Sequence, residues 1–76
     1  MKASAYRSYL IGVLHSAQWL AVRGEDTLAI EIVSRLLEGE SIPALQGLAA
    51  TESVRFSRGF WADLRRARVL RMGGRG

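Results

Sequence analysis

The sequence has no cysteine, one histidine and one proline in 76 residues. Without thiols there is no disulfide framework and no thiolate-held zinc, and a single imidazole does not make a metal site. No cofactor or metal is therefore expected. These staples matter in a chain so short. It buries only about 60% of the surface its unfolded form exposes, and its core supplies about 3–5 kcal/mol. Stability is left to helix packing and to contact with a partner chain.

Long apolar runs are missing too. The longest is Leu10–Leu14, even counting Gly12, against the roughly 20 residues that a membrane helix needs. Lys2 and Arg7 precede it as the charged start of a signal peptide would. His15, Ser16 and Gln18 then interrupt it, and no small-residue cleavage site follows cleanly. The segment reads as a core helix, and the absence of cysteine suits a reducing cytoplasm, the expected location.

Catalytic patterns are equally scarce. His15 has Ser8 and Ser16 nearby in sequence but no acidic residue within a turn, whereas an activated serine needs a base that a carboxylate orients. Glu25/Asp26 and Glu38/Glu40 sit where helices should begin or end, so capping accounts for them. Neither G-x-G-x-x-G nor a Walker pattern occurs. The protein is not expected to be an enzyme.

What is present is hydrophobic content of 49%, enough for a folded chain. Residues 4–23 have a helical period, with Tyr6, Tyr9, Leu10, Val13, Leu14, Ala17, Leu20 and Ala21 at i, i+3, i+4 spacing. The opposite face is apolar as well: Ile11, His15, Trp19 and Val22 line it, where a surface helix would show charge. Gly24 ends this helix, and Glu25, Asp26 and Thr27 open the next. Ala29, Ile32, Val33, Leu36 and Leu37 form its inward stripe, Glu31, Ser34, Arg35 and Glu38 its outward one, and Gly39 its end. The two helices make an αα-hairpin.

Ser41-Ile42-Pro43 starts a shorter helix over 44–50, with Leu45, Leu48 and Ala49 facing inward. Residues 51–53 either break or continue it. A last helix over 54–71 has Phe56, Phe60, Leu64 and Ala67 as core and Arg55, Arg58, Arg65 and Arg66 on the other side, with Gly59 as an interruption. The expected fold is all-α, three to four helices as αα-hairpins. It forms a single helical domain over residues 1–72 and a flexible tail over 73–76.

An internal near-repeat refines the expectation. Gly24-Glu25-Asp26-Thr27-Leu28-Ala29 is matched 35 residues later by Gly59-Phe60-Trp61-Ala62-Asp63-Leu64. That is close to the tetratricopeptide period of 34, in which a glycine makes the turn and a small residue lets two helices cross. In this tetratricopeptide-like frame the groove side presents Ile11, Leu14, His15, Gln18 and Val22, with Trp19 at its edge, and Ala49 and Phe56 add to it from the second repeat.

Ala17 through Asp26, then Ala29 through Leu37, then Pro43-Ala44-Leu45-Gln46-Gly47 resemble the small tetratricopeptide-like chaperones of type III secretion systems. The shared pattern is Ala-x-Trp-Leu, two residues, Gly-Glu, an aliphatic helix, then Ala-Leu-Gln. The resemblance implies a bacterial cytoplasmic chaperone that holds an exported needle subunit together with a short helical co-chaperone. The mechanism it implies is burial of an amphipathic helix in an apolar groove. The Arg-rich final helix has no counterpart in that pattern.

Charge supplies the rival reading. Residues 1–52 carry four Lys/Arg against six Asp/Glu, a net of −2, and residues 53–76 carry seven Arg against Asp63, a net of +6. Arg55, Arg58, Arg65 and Arg66 would neutralise phosphates, and Trp61 would stack on a base, in a nucleic-acid-binding or transcription-associated module. A third reading is a phage-type inhibitor of a host protein. Self-association through the first helix is compatible with each of these.

Overall fold

The structure, a computed structural model, describes residues 3–73, and the side chains of 4–70. Four helices run in order: α1 (Ala3–Val22), α2 (Asp26–Leu36), α3 (Ile42–Thr51) and α4 (Arg58–Gly73). No strand occurs among the described residues. The fold is all-α. The tail expected from residue 73 lies, from residue 74 onward, outside the described residues.

The α1–α2 hairpin closes as the glycine predicts. Gly24 takes φ +85°, its N–H donates to the Ala21 carbonyl at 3.0 Å, and the Glu25 N–H donates to the Leu20 carbonyl at 2.9 Å. This paired closure satisfies helix-end carbonyls and needs a left-handed residue just past the cap. The same closure ends α3: Ser53 N–H donates to Ala50 at 3.3 Å and Val54 N–H to Ala49 at 2.8 Å, with Ser53 at φ 58°. Residues 51–53 therefore break the helix. The turn residue corresponding to Gly24 is Ser53, whereas Gly59 is the second residue of α4. The 35-residue register does not survive at its glycines.

A side chain in the left-handed region costs about 1–2 kcal/mol, and glycine escapes that cost at some loss of chain entropy. Ser53→Gly is expected to stabilise the protein by about 1 kcal/mol, seen as a raised urea midpoint. Ser53→Ala, which keeps the Cβ, should give no gain; equal midpoints for the two variants would mean that the backbone there is not strained.

The core draws on every helix. It contains Leu10, Val13, Leu14 and Ala17 of α1; Ala29 and Val33 of α2, with Leu37 at its cap; Ile42, Leu45 and Ala49 of α3; and Phe60 and Leu64 of α4. Val54, in the connection, joins them. α2 is the middle layer, packed against α1 on one side and α4 on the other, while α3 lies against α1. This arrangement rotates α2 from the expected orientation. Ser34, expected outside, is only 3% exposed, and Leu36, expected inside, is 51% exposed. With neighbours on two sides, the Ala29–Val33–Leu37 line becomes the centre of burial, which draws in Ser34 and leaves Leu36 at the edge.

α4 begins four residues later than expected. Ser57 Oγ accepts the Phe60 N–H at 3.2 Å and so caps the helix, as Ser41 Oγ caps α3 by accepting from Ala44 at 3.2 Å. Phe56 is thus a connection residue. It stacks on Phe60 with ring centroids 3.9 Å apart, and Trp61 meets both rings edge-on. Arg55 also falls off the helix, so the four arginines expected on one helical side are not a single stripe.

Polar ties fasten the start of α1. The Tyr6 hydroxyl donates to the Glu40 carboxylate, Arg7 pairs with Glu52 at 3.2 Å, and the Tyr9 hydroxyl donates to the Leu36 carbonyl at 3.3 Å. The hydrogen bond to Glu40, aided by that carboxylate's negative charge, holds the Tyr6 phenol above its ordinary pKa of 10.0. All three ties are exposed, so they fix orientation more than they stabilise.

Candidate functional site

Two adjoining surface depressions share Ser16. One lies between α1 and α2 and is lined by Ser8, Tyr9, Gly12, Val13, Ser16, Ile32 and Leu36. The other continues along α1 with His15, Ser16, Trp19 and Leu20. Together they form a shallow, mainly apolar groove. It follows the α1 axis from Tyr9 to Leu20, about 16 Å at 1.5 Å per residue. Its floor on α1 is shallow because Gly12 and Ser16, one turn apart, carry almost no side chain. Its far wall is Ile32 and Leu36 of α2, part of a second apolar row in which Leu28, Ile32 and Leu36 recur every fourth residue.

Both ends of the groove are held in place. Tyr9 is anchored by its hydroxyl to the Leu36 carbonyl across the hairpin. At the other end Trp19 is 56% exposed. The Arg23 guanidinium lies 3.7 Å above its ring centre and also donates to the Trp19 carbonyl at 3.3 Å. One ring face is thereby occupied by a cation, an arrangement that contributes about 0.5–1 kcal/mol at an exposed site. The indole is held as a flat wall of the groove.

The residues expected to bind a partner divide. His15 and Trp19 are in the groove lining. Ile11 and Gln18 are half-buried, and Val22 is 74% exposed at the end of α1. Leu14 corrects the expectation: it is 0% exposed, at the centre of the core, because α2 and α3 both pack on α1. Ala49 is likewise core, and Phe56 is half-buried on Phe60. The open apolar surface thus lies further round α1 than expected, on the side bordered by α2. Tyr9, Gly12, Val13, Ser16, Ile32 and Leu36 were missed as site residues. The signal for them was present in α2, whose apolar positions form two rows (28/32/36 and 29/33/37) although one narrow stripe is all that a small bundle covers.

Of the arginines offered for phosphate binding, Arg66 pairs with Asp63 at 3.3 Å, while Arg55, Arg58 and Arg65 are exposed. Trp61 is half-buried against two phenylalanine rings and lines a surface depression with Arg55 and Phe56. Among the described residues no helix is long and apolar enough to cross a membrane, and no group of three His, Cys, Asp or Glu side chains is placed to hold a metal ion.

These features define a small all-α protein with an open apolar groove along one hairpin. No family model, curated protein or solved structure matches the chain.

Proposed function

We propose that the protein is a small helical binding module that takes an amphipathic helix of a partner protein into the α1–α2 groove. The observation that carries this reading is the apolar lining from Tyr9 and Leu36 to Trp19 and Leu20, side chains that the fold leaves exposed or half-buried. A groove of this length accepts about ten residues of helix, with anchors at i, i+3, i+4 and i+7. Each fully buried Leu- or Ile-sized anchor contributes about 1.5–3 kcal/mol. The sequence resemblance around Ala17–Asp26 and Pro43–Gly47 supports a more specific role. In that role the protein is a cytoplasmic type III secretion chaperone that keeps an exported needle-type subunit from polymerising early, alongside a short helical co-chaperone.

Affinity capture from the native host with identification by mass spectrometry tests the proposal, using the wild type beside Leu36→Asp. Leu36 is half exposed, so the variant should keep its helical circular dichroism. It should lose a captured helical protein by at least about tenfold, the equivalent of 1.4 kcal/mol. Retained binding by Leu36→Asp, with loss in an Ile11→Asp/Val22→Asp variant that still folds, would move the site to the face expected from sequence. Capture of a non-secreted host enzyme would overturn the chaperone role and leave the binding module.

A further inference from the structure

The arginines after Ser53 do not share one task. Arg66 is engaged with Asp63, and the Arg68 guanidinium reaches across to α2, where it donates to the Leu37 carbonyl at 2.8 Å. Arg58 and Arg65 have neither kind of engagement. They are exposed, and neither hydrogen-bonds nor ion-pairs with another side chain among the described residues. Seven residues apart on α4, they fall within about 20° of each other around the helix and about 10.5 Å apart along it. Exposed Ala62 lies between them, and exposed Val69 continues the line by one turn. The one acid of α4, Asp63, lies off this line and is already paired. The face is therefore cationic, with no acid on its line, in the C-terminal segment, residues 53–76, whose net charge is +6.

We infer that this face of α4 binds the phosphate backbone of a nucleic-acid duplex without reading its sequence. Two arginines about 10.5 Å apart along the helix axis carry side chains long enough to span a major groove about 12 Å wide and reach its two flanking backbones. No Asn or Gln stands on this face to read base edges, and Trp61 is half-buried against Phe56 and Phe60, which leaves less of its ring for the stacking that single strands use. A bilayer surface is a poorer fit, because a helix lying in it presents large apolar side chains beside its cations and this line offers alanine and valine. The surface is on a different helix from the groove and stands or falls independently of it.

Fluorescence anisotropy of the full chain with a labelled duplex of arbitrary sequence, about 20 base pairs long, tests the inference. Binding in the range of roughly 10⁻⁴–10⁻⁶ M is expected, weakening linearly in log–log salt. Arg58→Ala/Arg65→Ala should lower affinity by at least about tenfold and reduce the salt slope by about two, with the helical circular dichroism unchanged. Arg58→Gln/Arg65→Gln, which keeps the side-chain stems, should behave the same way. The inference is overturned if the wild type does not bind at low salt, if either double variant binds with the wild-type slope, or if the face prefers an acidic peptide or phosphatidylserine vesicles to the duplex.

Discussion

Leu14→Ala is expected to leave the protein largely unfolded at 37 °C. Leu14 is fully buried on the middle of α1, where that helix meets both α2 and α3. Truncating a leucine at such a site costs about 2–5 kcal/mol, partly for the lost transfer energy and partly for the cavity left behind. The whole core of a domain this size supplies about 3–5 kcal/mol, with no disulfide to make up the loss. Each kcal/mol lowers the melting temperature of so small a domain by roughly 4–8 °C. Thermal melts followed by circular dichroism should therefore show a transition lowered by tens of degrees, or none. Trp19→Ala and Val22→Asp, at exposed positions on the same helix, should melt near the wild type. A Leu14→Ala protein that melts within a few degrees of wild type would mean that Leu14 faces outward, as the groove of the tetratricopeptide-like frame had placed it.

That contrast shows how far the sequence reaches. The all-α class and the α1–α2 hairpin were legible because Gly24, the acidic start of α2 and the 3.6-residue spacing all agree locally. The rotation of α2 was not. Its two apolar rows are equally good inward faces until α4 is known to pack on the Ser34 side, and that packing depends on contacts distant in sequence. The start of α4 was missed for a local reason: Ser57 was a usable cap, but the aromatic Phe56 extended the apparent stripe past it. The end of α3 was undecided because its left-handed turn position holds a serine in place of the glycine that marks α1. The groove followed from the same ambiguity. Once Leu36 and Ile32 turn to the edge of α2, they meet Tyr9, Gly12 and Ser16, none of which stands out as a binding residue in the linear pattern.

The second large effect is expected at Arg68, one turn beyond the buried Leu64 on α4. α4 contributes Phe60 and Leu64 to the core near its start, and further along it is tied to α2 through the Arg68–Leu37 bond. The accepting carbonyl lies at the C-terminal end of α2, where the helix dipole favours a cation. A hydrogen bond from a charged donor contributes about 1.5–3 kcal/mol, so Arg68→Ala should cost about 2 kcal/mol. Arg58→Ala and Arg65→Ala, which remove guanidiniums without partners among the described residues, should change stability by no more than about 0.5 kcal/mol. Against this gain stands Arg68 Nε, which is buried and makes no hydrogen bond among the described residues. Arg68→Met separates the two contributions: it keeps the apolar stem and removes both the bond and the unsatisfied nitrogen, so its cost should fall below that of alanine. Urea unfolding of the four variants provides the comparison. If Arg68→Ala matched Arg65→Ala, α4 would be held by Phe60 and Leu64 alone, and Arg68 would join the exposed arginines available to phosphate. If it is the costly one, the arginines divide cleanly: Arg68 maintains the α2–α4 contact, and Arg58 and Arg65 are free to act on a partner.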